Sequence, residues 1–287
     1  MPRLMVNGVN YHYLDQGQGS PLVLLHGFTG SSASWEEFNN LITGHCRTIA
    51  IDLPGHGRTI SPNQPQRYSI QAVSNDIVAL LDTLKIGYSD LLGYSMGGRL
   101  ALYLALDKPT QFRSLILESA SPGLDSIDLR HKRVQKDGLL ANRIEANGVP
   151  AFVERWQRLP LFESQNNLAR ERQEGQRRQR LNNTAVGLAN SLRGMGTGQQ
   201  PSLWSELLSL LVPTLLIAGS LDLKYSDINR QMAQIMPDSK LKIISGAGHN
   251  VHLEMPEQFA KTVLAFLDSQ QQLAQTKKEH EQERYQR

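Results

Sequence analysis

Short runs rich in Leu, Ile and Val recur along this chain at 22–26, 48–52, 90–93, 114–118, 213–218 and 240–244. Helical stretches separate them, most clearly at 69–85 and 97–107. Strands alternating with helices cannot be joined by hairpins, so the pattern predicts an α/β fold: a mainly parallel sheet with helices on both faces. An antiparallel pair at 3–7 and 9–14, turning at Asn7-Gly8, is expected to begin the sheet. From 122 to 205 the strand rhythm stops, and Arg, Gln and Asn dominate helical-looking pieces. The expected organisation is a core of 1–121 and 206–268, a helical lid inserted at 122–205, and a polar extension at 269–287, either helical or disordered.

Composition narrows the class. The 287 residues are 40% hydrophobic and 20% charged, which suits one globular α/β domain with an insertion. There is no apolar run of the roughly 18 residues needed to span a bilayer, and the first residues carry no apolar signal core. A cytoplasmic protein without membrane attachment is therefore expected. One cysteine, Cys46, rules out an internal disulfide; it opens an apolar strand and reads as a buried thiol. The net charge of +3 is too small to suggest nucleic acid. Its distribution is uneven: 122–200 holds 13 Lys or Arg against 8 Asp or Glu. That excess is a solvated helical surface or an inward-facing pocket for an anion.

The chemistry concentrates at strand ends. Gly93-Tyr94-Ser95-Met96-Gly97-Gly98 follows the run ending at Leu92 and reads as strand, tight turn and helix. Such a turn forces Ser95 into a strained conformation that only small residues at Gly93 and Gly97 permit, and it sets the hydroxyl at the positive end of a helix. A serine needs an imidazole to take its proton. His249 lies in Gly246-Ala247-Gly248-His249-Asn250, directly after the last strand. Asp222 ends the preceding strand, in Gly219-Ser220-Leu221-Asp222, with Asp227 as the rival carboxylate farther on. Ligands of open α/β sheets bind beyond the strands' carboxyl ends, where all three residues belong. The chain order Ser95, Asp222, His249 is that of α/β-hydrolases.

A site for an oxyanion is expected in Leu24-Leu25-His26-Gly27-Phe28-Thr29-Gly30, whose glycines would expose the Phe28 amide towards the Met96 amide. A phosphate loop is the competing reading, but no GxxxxGK[ST] run occurs. His56, in Asp52-Leu53-Pro54-Gly55-His56-Gly57, reads as structural. Arg99 stands one helical turn after Ser95, so it projects beside the serine or outward to solvent; the first arrangement suits a substrate carrying a carboxylate.

These segments, in this order, resemble the α/β-hydrolase superfamily across about 10–268. Within it, Gly-Tyr-Ser-Met-Gly-Gly-Arg at 93–99 is similar to the 2-succinyl-6-hydroxy-2,4-cyclohexadiene-1-carboxylate synthases. That resemblance implies substrate contacts for Tyr94 and Arg99, carboxylate binding by Arg133 in Arg130-His131-Lys132-Arg133, and a substrate-facing Trp156 in Phe152-Val153-Glu154-Arg155-Trp156. Arg180 of Arg180-Leu181-Asn182-Asn183 completes the anion site by the same likeness, with Arg177 and Arg178 as close competitors. The pattern departs from the family at Ser220, often acidic there, and in the extra residues after 268.

The implied reaction eliminates pyruvate from a succinyl-cyclohexene carboxylate bearing an enolpyruvyl ether, with no cofactor and no metal. The partner is thus a small molecule with several carboxylates. A hydrolase of small esters or C–C bonds would use the same three residues without needing Arg99. A non-catalytic binding protein on this fold would not need the three residues at all.

Overall fold

A computed structural model describes residues 2–285. Strands β1 (Arg3–Val6) and β2 (Val9–Gln16) form the expected hairpin, with Asn7 and Gly8 at φ 45° and 81°, as a type I′ turn requires. The chain continues through β3 (Pro21–Leu25), α1 (Glu36–Ile42), β4 (Arg47–Ile51), α2 (Ile70–Thr83), β5 (Ser89–Tyr94), α3 (Met96–Asp107) and β6 (Phe112–Glu118). Then come α4 (Ile127–Trp156), α5 (Arg170–Leu181) and α6 (Ala185–Met195), with no strand among them. The sheet resumes with β7 (Thr214–Gly219), α7 (Leu223–Ile235) and β8 (Ser239–Ile244), before α8 (Val251–Glu254) and α9 (Pro256–Tyr285).

The eight strands lie in the order β1-β2-β4-β3-β5-β6-β7-β8. β2 meets β4 antiparallel, and every pairing from β4 to β8 is parallel. Each strand read from the sequence falls within two residues of its observed limits. Alternation along the strands supplies two apolar faces. Val23, Leu25, Ile49 and Leu91 pack with residues of α2 and α3, whereas Leu22, Leu24, Ala50 and Leu92 pack with α1 and α9. Both faces are covered, so the central strands are apolar at almost every position.

The segment after β6 has a small core of its own. Ile144 and Phe152 of α4 pack against Leu188 and Leu192 of α6. α4 is broken at Gly148 (φ 77°), and Pro150 opens the second helical piece, where its missing N–H costs nothing. α5 contributes no apolar face; its one buried residue is Arg180. At the other end, α9 continues through the polar extension to Tyr285, and 286–287 lie outside the described residues. Among the described residues no helix is long and apolar enough to cross a membrane.

Cys46 is buried beside β4, and burial raises its thiol pKa to about 11. Ellman's reagent at pH 8 should therefore find no thiol in the native protein and one per chain in guanidinium chloride. Rapid labelling of the native state would contradict this packing.

Candidate active site

β5 runs into α3 with a single residue between them. Ser95 takes φ 50° and ψ −105°, a conformation costing about 1–3 kcal/mol for a residue with a side chain. The turn is held from both sides: the Ser95 amide donates to the Glu118 carbonyl (2.8 Å), and the Ser95 carbonyl accepts from the Arg99 amide (3.0 Å). Glycine is required on either side. A Cβ at Gly93 would strike the Gly97 carbonyl, and one at Gly97 the Leu25 carbonyl.

The two expected partners meet the hydroxyl. Ser95 Oγ lies 3.0 Å from His249 Nε2, and His249 Nδ1 lies 2.6 Å from Asp222 Oδ2. Asp222 is also the N-cap of α7, its Oδ1 accepting from the Tyr225 amide (3.2 Å), so one carboxylate starts the helix and orients the ring. Asp227 is exposed on α7 and accepts instead from Gln231, which removes it as the rival. The His249 loop has a support the sequence reading missed. Buried Glu254 accepts from the Gly248 amide (2.6 Å) and the Asn250 amide (3.2 Å), gripping the backbone on both sides of the histidine. Its only sequence signal is a position one turn of helix beyond Asn250.

The loop after β3 is pinned by His26. The Leu53 amide donates to His26 Nε2 (3.0 Å), so the proton sits on Nδ1, which donates to the Gly27 carbonyl (2.8 Å). Burial holds this ring neutral by lowering its pKa. His56 packs its ring on His26 (5.1 Å) and on Phe28 (5.6 Å), a structural part as expected from its loop. Met96 is the first residue of α3, where no preceding turn offers its amide a carbonyl. Phe28 and Met96 line the same cavity as Ser95 and His249, about 290 Å³ in volume.

Cations roof this cavity. Arg99 is buried and turned inward, not towards solvent. It donates to Gln200 Oε1 and the Met195 carbonyl, both at 2.9 Å. These acceptors are neutral, and among the described residues Arg99 makes no ion pair. Burial lowers its pKa to about 10, so it remains charged at neutral pH. Arg133 also lines the cavity, its Nε donating to both Asp137 oxygens (2.8 and 3.0 Å). Tyr94, Trp156 and Lys224 complete this wall, the last unforeseen although it follows Asp222 by two residues. The Trp156 indole N–H is buried with no hydrogen-bond partner.

Arg180 is placed differently. It is buried beneath the Phe162 ring (5.0 Å) and lines a neighbouring cavity of about 400 Å³, which shares Phe28, Tyr94 and Phe162 with the first. The competitors are set apart from it: Arg177 pairs with Glu154 at 2.9 Å, and Arg178 is exposed near Glu174. The arginines therefore do not converge on one point. Arg99 and Arg133 face the serine, and Arg180 stands behind an aromatic partition.

A sequence model for the alpha/beta hydrolase fold matches residues 20–256. The chain belongs to the α/β-hydrolase family. A putative 2-succinyl-6-hydroxy-2,4-cyclohexadiene-1-carboxylate synthase of Bacillus subtilis is 43% identical over 92% of this chain and 96% of its own length. The structure of MenH from S. aureus superposes with a TM-score of 0.86 at 37% identity, covering 91% of this chain and 98% of that one. A malate-bound esterase from Thermogutta terrifontis reaches 0.84 at 25% identity, covering 94% and 99%. Family membership thus agrees with the serine, histidine and aspartate meeting at the carboxyl edge of the sheet.

Two outcomes test this geometry. Replacing Glu254 by Gln puts an N–H₂ against an amide that needs an acceptor. Phosphonylation of Ser95 by a fluorophosphonate, followed by intact mass, should slow about tenfold or more; an unchanged rate would show that the loop holds itself. The second concerns acid. The His56 pKa is lowered by burial to about 3, against 6.5 unfolded. The unfolded chain therefore binds this proton first, and stability falls as pH drops below 6.5 until about 3. At pH 4.5 the loss is roughly 2–3 kcal/mol. Urea unfolding of His56→Asn should show a shallower decline over the same range.

Proposed function

We propose that this chain is a 2-succinyl-6-hydroxy-2,4-cyclohexadiene-1-carboxylate synthase. It acts in the cytoplasm on 2-succinyl-5-enolpyruvyl-6-hydroxy-3-cyclohexene-1-carboxylate and eliminates pyruvate, a step towards menaquinone or phylloquinone. The observation that carries the reading is buried Arg99, charged and answered only by neutral acceptors one turn from Ser95. A buried cation that makes no ion pair is costly unless an anion arrives, and the Asp137 carboxylate that acts on Arg99 is already held by Arg133. Simple apolar esters bring none; this substrate brings three carboxylates. The 43% identical relative bears the same activity in its name.

The geometry supports the following course. His249, oriented by Asp222, takes the Ser95 proton. The alkoxide removes the ring proton at C2, next to the succinyl ketone. The amides of Phe28 and Met96 stabilise the enolate that forms. The electron pair then moves through the ring: C2–C3 becomes double, the C3–C4 double bond shifts to C4–C5, and the C5–O bond breaks. Enolpyruvate departs, takes the proton held by His249, and tautomerises to pyruvate, which returns the histidine to its starting state. The acidity of a proton beside a ketone and a stabilised enolate suffice, so no metal or organic cofactor is required. In this course Ser95 is a base and is not acylated. Arg99 and Arg133 hold carboxylates on the serine side, Tyr94 and Trp156 pack the ring, and Arg180 serves a carboxylate reaching past Phe28 and Phe162.

The same serine, histidine and oxyanion amides would serve a hydrolase acting on carboxylate-bearing esters, as the likeness to a malate-bound esterase illustrates. A lactate-dehydrogenase-coupled assay on the enolpyruvyl substrate separates the two. Ser95→Ala should lower kcat by about 10³ or more, and Arg99→Ala should cost about 2–3 kcal/mol in kcat/KM, some 30- to 150-fold. Brisk aryl-ester turnover with no pyruvate, or a covalent acyl-Ser95 on the natural substrate, would favour the hydrolase.

A further inference from the structure

The break at Gly148 folds the two halves of α4 towards each other, and between them lies a groove of about 570 Å³. Its floor is apolar, with Leu140, Ile144, Phe152 and Leu159 among the lining residues. Its remaining walls carry Lys136, Arg143 and Arg155, together with Arg133. The one carboxylate in the lining, Asp137, is engaged by Arg133. Nothing in the elimination itself uses the three other cations.

Their state differs from that of five other arginines on these helices. Arg158 and Arg177 pair with Glu154, Arg170 with Glu174, Arg193 with Glu145 and Arg172 with Glu37. Lys136, Arg143 and Arg155 are exposed, and among the described residues none of them makes an ion pair. Arg130 and Lys132 of α4 are also without an ion pair among the described residues, but Lys136, Arg143 and Arg155 stand together where the surface is concave and apolar. Arg133, Trp156 and Leu161 line both the groove and the Ser95 cavity, so these side chains form the wall that the two share.

We propose that this groove is the vestibule through which the tricarboxylate substrate reaches the serine, captured by Lys136, Arg143 and Arg155 and passed inward beside Arg133 and Trp156. The assignment rests on the substrate read above, whose apolar ring with charged arms matches an apolar floor with a cationic rim. Cations set around a concave surface focus their field there and raise the arrival rate of an anion. That contribution is large at low ionic strength and screened by salt, because the Debye length shrinks from about 30 Å at 0.01 M to 3 Å at 1 M.

The test measures association by stopped-flow tryptophan fluorescence, with the enolpyruvyl substrate and full-length Ser95→Ala protein, which binds without turnover. In that background Lys136→Glu/Arg143→Glu/Arg155→Glu should bind at least tenfold more slowly in 20 mM salt, and the dependence of the rate on salt should flatten. The same three positions changed to Gln should give an intermediate loss. A matched control reverses three exposed lysines on the core, Lys85, Lys240 and Lys261, and should slow association less than twofold. Equal slowing by both triple reversals, or none by the groove variant, would overturn the vestibule. Failure of the substrate reading shows separately, as wild-type protein that releases no pyruvate.

Discussion

The closeness of β5, α3 and β3 is the constraint on which the rest of the molecule depends. At Gly97 a methyl group would meet the Leu25 carbonyl, so α3 begins in backbone contact with the neighbouring strand. The helix can then start immediately after Tyr94, with Ser95 at φ 50° as the hinge. The strain is tolerated because β5 is hydrogen-bonded to strands on both sides, and Ser95 itself donates to the carbonyl of Glu118. The outcome is a hydroxyl above the sheet edge, at the positive end of a helix. His249 and Asp222 arrive on loops after β8 and β7, strands whose register fixes how far each loop must reach.

Buried polarity is managed unequally around that hydroxyl. Beneath it, carboxylates are fully engaged: Asp222 with His249 and the Tyr225 amide, Glu254 with the amides flanking His249, and Glu118 with His252 (2.7 Å). These groups set the position of the imidazole and leave little freedom to it. Above it the balance reverses. Arg99 is desolvated against neutral acceptors, and Arg180 is desolvated beneath an aromatic ring. Such an arrangement is poor economy for stability and good preorganisation for an anion, since the cost is met in folding and recovered on binding.

The helical insertion divides this labour among its elements. α4 and α6 supply an apolar core that anchors Trp156, through Phe152 and Phe28. α5 has almost no apolar surface and instead carries Arg180 inward and paired arginines outward. A segment with so small a core owes its place to contacts with the sheet domain, such as Asn183 to the Thr29 carbonyl (2.9 Å) and Gln179 to Ser31 (2.9 Å).

The α/β alternation, the Asn7-Gly8 hairpin, the glycine-flanked serine and the order of the three polar residues at strand ends were all legible in the residues. Each is a local requirement, of periodicity, of positive φ, or of a steric limit at one position, and local requirements are written in consecutive side chains. The inward turn of Arg99 was open, because one helical turn of spacing fits a site-facing or a solvent-facing arginine equally well. Its neutral partners, Met195 and Gln200, lie about a hundred residues away and came only when the end of α6 and the residues after it reached the guanidinium. The grip of Glu254 on the His249 loop, the partition that sets Arg180 apart from the serine, and the groove made by the bend at Gly148 were invisible for the same reason. They depend on distances between segments remote in the chain, and those distances exist only once both faces of the sheet have been covered.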